Sequence, residues 1–234
     1  MNRAVEITPP VFEAGPKAYM FGPDVVRVAI RADELSREYG VQIIFDPQYV
    51  DIPTIAQRVE RVLVFAQHMD SLEPGRGMGS VLPEALKAAG ASGVVLNHFE
   101  RRLSAEELER AVRRADEVGL ATVVCADGLD QALAIAALAP NAIIVESPQL
   151  IGAGKGHDTS RAAVLDTNRA IWQVNPDIVV IRGAGIGDAH DVFDVIAAGA
   201  QGTGSSSAIF AAQDPERVLE AMIRAVREAW DSTH

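Results

Sequence analysis

Three side chains in this chain are of the types needed to shuttle a proton between neighbouring carbons: Glu146 as a base, His98 as a polarising imidazole and Lys17 as a cation. Each stands where a run of β-branched residues gives out. Lys17 follows Gly15-Pro16, His98 lies in Asn97-His98-Phe99-Glu100, and Glu146 precedes Ser147-Pro148. Singly, such residues have ordinary uses: a solvated surface charge, a structural hydrogen bonder, a helix cap. Gathered at one rim they form a set that can abstract a proton, polarise a carbonyl and hold the oxyanion that results. Two segments of small residues follow, Arg182-Gly183-Ala184-Gly185-Ile186-Gly187 and Gly202-Thr203-Gly204-Ser205-Ser206-Ser207. With no bulk in the way, their backbone N–H groups can close around an anion such as phosphate. Residues 147–157 carry Pro148, Gly152, Gly154 and Gly156, a composition suited to a hinged lid that excludes water.

These residues can meet only if the intervening elements bring them together. Short β-branched runs recur at 11–19, 41–46, 62–67, 93–97, 121–126, 142–146, 178–182 and 202–206. Each is followed by apolar spacing of helical period, at 24–39, 51–58, 81–89, 104–118, 128–138, 159–174, 187–198 and 214–229. Ser104 with Glu107 reads as a capping box, and Asp24, Asp51 and Asp214 as helix N-caps. Gly40, Gly90, Gly119 and Gly199 fall just past helices, where a left-handed residue ends the turn. Eight βα units in 234 residues predict an α/β fold, a closed (β/α)8 barrel forming a single domain over residues 1–234. An open, doubly wound sheet is the alternative. In a barrel, the strand ends and the loops after them carry the function.

Composition narrows the function classes. Lys+Arg 21 against Asp+Glu 32 gives a net charge of −11, a field that repels nucleic acid and anionic membrane. An anionic ligand would therefore need local help from backbone N–H groups or one of the three lysines, Lys17, Lys87 and Lys155. Cys125 is the only cysteine, so neither an intrachain disulfide nor an all-cysteine metal site can form, and a reducing, cytoplasmic home is expected. No apolar run is long enough to span a membrane, and the first residues lack the pattern of an export signal.

The stretch VFAQHMDSLEPGRGMGSVLPEALKAAGASGVVLNHFERR resembles the third and fourth units of the triosephosphate isomerases, which run AQHVD, EPG, TGSVLPEAIK and NHSE. ESPQLIGAG is similar to the EPPELIGTG lid of the short archaeal-type form, and IRGAGIG to its seventh-loop CGAGIS. The likeness covers about residues 10–225 in order. It implies a TIM barrel and an aldose–ketose isomerase of a short sugar phosphate, by default glyceraldehyde 3-phosphate and dihydroxyacetone phosphate, through an enediolate. On that resemblance Glu146 is the base, His98 the neutral electrophile and Lys17 the stabilising cation. Glu100 is a supporting acid, and Gly152, Gly185, Ser206 and Ser207 donate backbone N–H groups to the phosphate. Neither metal nor organic cofactor is implied. A homodimer or homotetramer is expected, because the family's third loop enters a neighbouring subunit.

Several positions depart from the family pattern. Gly15 stands where a substrate-contacting asparagine belongs, Phe99 replaces a serine, Met78 a threonine, and Ser147 the proline after the base. Arg182 adds a charge beside the seventh loop. Loss of the asparagine amide leaves one hydrogen bond fewer, worth roughly 1–3 kcal/mol where a buried partner is left unpaired. Two alternatives stay open: a paralogue acting on another small phosphorylated sugar, such as a tetrulose phosphate, and a non-catalytic protein that binds phosphorylated metabolites. A lysine Schiff-base aldolase using Lys17 as nucleophile is a third.

Overall fold

The computed structural model describes residues 5–146, 161–183 and 185–233. Eight parallel strands close on themselves in chain order: β1 (Val11–Ala14), β2 (Gln42–Phe45), β3 (Leu63–Ala66), β4 (Gly93–Leu96), β5 (Ala121–Ala126), β6 (Ala142–Val145), β7 (Val179–Arg182) and β8 (Gly202–Ser205). Pairing of Val11 with Gly202 and of Ala14 with Ser205 completes the ring and excludes the open sheet. Around it run α1 (Gly22–Tyr39), α2 (Ile52–Ala56), α3 (Pro83–Ala88), α4 (Ala105–Val118), α5 (Leu129–Ala136), α6 (Arg161–Val174), α7 (Ala189–Ala197), α8 (Ser207–Phe210) and α9 (Pro215–Thr233). The fold is the (β/α)8 TIM barrel.

Period-two alternation divides the apolar residues into two cores. Outward-facing Phe12, Ile43, Phe45, Val64, Val94, Leu96, Val124, Ile143 and Val180 pack against the helices. Inward-facing Val11, Ile44, Phe65, Val95, Val123, Ile144 and Ile181 plug the barrel. Gly93 makes room for the plug: a Cβ there would lie 2.3 Å from the Phe65 ring and 2.6 Å from the Ala121 carbonyl oxygen. The next inward layer, toward the strand ends, turns polar, and there the cavity opens.

The chain differs from its sequence pattern in instructive places. Strand β1 stops at Ala14, five residues short of the expected limit, because the backbone turns: Lys17 takes φ 48° and the Tyr19 N–H donates to the Pro16 carbonyl. The four-residue α8 adds a helix to the predicted set, its single turn being too short to show helical periodicity in the sequence. All four glycines expected to end helices have positive φ, from 62° at Gly40 to 107° at Gly199. Ser104 Oγ accepts from the Glu107 N–H as the capping box requires, but the Glu107 carboxylate turns away to Ser71 and Arg110. Asp214 caps the start of α9 through the Arg217 N–H. Asp24 instead pairs with Arg27, and Asp51 accepts from the Gly22 N–H of α1 rather than from its own helix. Among the described residues no helix is long and apolar enough to cross a membrane.

Candidate active site

The ends of β1, β2, β4, β6, β7 and β8 enclose a cavity of about 450 Å³. Lys17, His98, Glu100, Glu146, Gly185, Ser206 and Ser207 all line it. Gly152 and the expected lid, 147–157, lie outside the described residues, as does Ala184.

Lys17 sits on the turn after β1 in the left-handed region that non-glycine residues avoid. Two carboxamides secure it there: Gln48 Nε2 and Gln67 Nε2 donate to its carbonyl oxygen at 2.7 and 3.2 Å. Gln67 also donates to the Asp46 carbonyl at 2.8 Å, tying the ends of β1, β2 and β3 together. The Lys17 ammonium meets Glu100 Oε1 at 2.7 Å and lies 5.0 Å from the centre of the Phe99 ring. This hydrogen bond holds the Glu100 carboxyl below its ordinary range. Phe99 thus fills its space as a wall shared by the cation and the imidazole, its ring centroid 4.5 Å from that of His98.

His98 is aimed by Asn97, the last residue before the loop, with φ 60°. Asn97 Nδ2 donates to the Cys125 carbonyl at 3.0 Å and its Oδ1 accepts from the Leu103 N–H at 3.1 Å, so one side chain anchors the loop at both ends. His98 Nδ1 accepts from the Glu100 N–H at 3.2 Å, which places the proton of the neutral ring on Nε2. Burial, helped by the Lys17 charge, pushes the imidazole pKa down to about 4, so the ring is an uncharged donor at neutral pH. Glu146 is the first residue past β6, and its N–H donates to the Ala126 carbonyl. Burial, and secondly the charge of Glu13, pushes its carboxyl up to about 7. Gly183 gives it space: a Cβ there would stand 2.5 Å from Glu146 Oε1. An acid that titrates near neutrality and an imidazole that does not share one enclosure, the separation expected of a base and an electrophile.

Across the ring from His98, Ser206 and Ser207 open α8, Gly185 has φ 73°, and Ser205 Oγ donates to the Ile186 carbonyl at 3.0 Å. Ser206 Oγ donates to the Gly15 carbonyl, joining the first and eighth loops. Arg182 does not add its charge here. It extends outward from β7, where its Nη2 donates to the Ala163 carbonyl of α6. The loop after β3 is pinned at its base, with Asp70 accepting from and donating to the Val81 backbone, while Met78 at its tip is fully exposed.

Glu13, Asp46, Gln48 and Gln67 also line the cavity, and Asn97 steadies the loop beside it, none of them marked by a motif. Glu13 has the inward parity of β1 and Asp46 the inward parity of β2, so strand alternation was the available signal. Gln48 and Gln67 act on a backbone carbonyl and leave no spacing to read.

The family model described as triosephosphate isomerase matches residues 24–226. The triosephosphate isomerase of Sulfolobus acidocaldarius is 37% identical over 220 residues, covering 92% of this chain and 94% of its own length. That of Methanobacterium bryantii is 37% identical over 199 residues, covering 85% and 88%. A crystal structure of triosephosphate isomerase from Bartonella henselae superposes with a TM-score of 0.75 at 17% identity, covering 94% of this chain and all of the other, which supports the fold alone. On these matches the chain belongs to the triosephosphate isomerase family.

Proposed function

We propose that the chain interconverts glyceraldehyde 3-phosphate and dihydroxyacetone phosphate. One observation carries the reading: a carboxyl held near pKa 7, an imidazole kept neutral and an ammonium face a single cavity. Glu146 takes the proton from the carbon beside the carbonyl and returns it to the neighbouring carbon. His98 Nε2–H donates to the oxygen on which negative charge gathers, and Lys17 stabilises that charge. The phosphate rests against the backbone N–H groups of Gly185, Ser206 and Ser207, with Gly152 added from the lid at 147–157. Residues 1–234 act as one unit. Family membership supports a small phosphorylated sugar as substrate, and the buried Cys125 fits a cytoplasmic setting. The bare Met78 favours assembly into a homodimer or homotetramer through the third loop.

A coupled assay on both trioses tests the reading. Isomerisation in both directions is expected, with Glu146→Gln lowering kcat by several powers of ten. Absence of turnover on either triose sinks it.

A further inference from the structure

Below the reacting groups, on the cavity floor, two carboxyl groups face one another across β1 and β2. Asp46 is 6% exposed, and among the described residues no N–H or hydroxyl donor reaches its Oδ1. The group beside it is the partly buried carboxyl of Glu13. Two glycines leave the space that Glu13 fills. A Cβ on Gly15 would lie 2.5 Å from Glu13 Oε1 and 3.1 Å from Asp46 Oδ1, and a Cβ on Gly204 would lie 2.5 Å from Glu13 Oε2. The carboxyl pair therefore occupies the room left by the missing side chain at position 15, and both acids line the cavity.

Two carboxylates within hydrogen-bond reach cannot both stay ionised in a buried site, so one proton is held between them. Burial, and secondly the charge of Glu13, raises the Asp46 pKa well above its ordinary value, while burial raises that of Glu13 against the lowering pull of its hydrogen bond with Asp46. Bracing the strands does not account for the pair, since β1 and β2 are already joined along their register. Buried acids are also costly unless they bind something.

We propose that Glu13 and Asp46, sharing one proton, form a hydroxyl-binding subsite on the cavity floor that recognises the end of the substrate remote from its phosphate. An acid O–H beside free carboxylate lone pairs can donate to and accept from one alcohol. This rests on the isomerase reading only in assigning the phosphate to the rim made by the loops after β7 and β8, beyond the strand layer that holds the pair.

Glycerol 3-phosphate and propyl phosphate share the phosphate, and only the first carries hydroxyls. Their dissociation constants, measured by titration calorimetry at pH 8, test the subsite without turnover. The unaltered protein is expected to prefer glycerol 3-phosphate, and Glu13→Met with Asp46→Ala to reduce the preference about tenfold while phosphate-driven binding persists. An unchanged preference in a cooperatively melting double variant overturns the proposal. Should that variant not fold, a structure of the unaltered protein with glycerol 3-phosphate decides instead. A hydroxyl oxygen within about 3.2 Å of either carboxyl supports the subsite, and separations beyond about 4 Å overturn it. Failure of the isomerase reading is distinguishable, because it shows as absence of triose turnover in the unaltered chain whatever the preference.

Discussion

Glu146 and His98 are displaced from their ordinary pKa values in opposite directions by the same burial, and this makes two predictions at the scale of single residues. The base must be ionised to work, so kcat/KM should fall about tenfold per pH unit below about 7, while His98, neutral down to about 4, adds no limb between. Initial rates across pH 5 to 9 check it, and a flat profile down to pH 5 contradicts the assignment. Stability carries the mirror image. Between about 4.5 and 7 the folded chain keeps the Glu146 proton that the unfolded chain gives up, so this group costs stability as pH rises. Between about 6.5 and 4 the unfolded chain gains a His98 proton that the folded chain refuses, so that group costs stability as pH falls. Melting curves of Glu146→Gln should therefore show Tm gaining on the parent as pH climbs from 5 to 7, and those of His98→Asn gaining as pH drops from 6.5 to 5. That Lys17, His98 and Glu146 meet in one cavity was legible in the sequence because each stands where an apolar strand run gives out. Glu13 and Asp46 were not, because their role depends on the emptiness of Gly15 and Gly204, which spacing does not record.

Elements meet through a few buried polar contacts that can be removed with foreseeable effect. Asp33 in α1 turns one carboxylate oxygen to the N–H groups of Glu60, Arg61 and Val62 just before β3, at 2.9, 2.6 and 3.0 Å. Asp33→Ala leaves those donors without it, and urea unfolding should register a loss of about 2–3 kcal/mol with kcat unchanged. Gly93→Ala drives a methyl into the Phe65 ring and the β5 backbone, and should cost about 3 kcal/mol or more in the same experiment. Asn97→Ala frees both ends of the loop that aims His98, so kcat should drop about a hundredfold with KM nearly unaltered, as steady-state kinetics would reveal. Helix ends were readable where the chemistry is local, as at Ser104, Asp214 and the four terminal glycines. Asp51 and Asp24 show the limit: the motif is right, but the carboxylate found a partner on another element or in its own turn.

For the molecule as a whole, the order of eight βα units was legible because it rests on periodicity repeated along the entire chain. The closure of β1 on β8 lies between residues almost 200 apart and is fixed by geometry rather than by any motif. Charge also acts at this scale. With a net −11 and an acid-rich cavity, the protein repels a dianionic substrate on approach. Raising sodium chloride from about 10 to 150 mM shortens the screening length from about 30 to 8 Å. The second-order rate constant should then rise, and a steep fall would show that local cations govern capture. Phe65 and its inward neighbours seal the far end of the barrel. Reactant and product must therefore pass through one doorway in turn, so the time a finished molecule lingers in it sets a ceiling on turnover that faster proton transfer cannot lift.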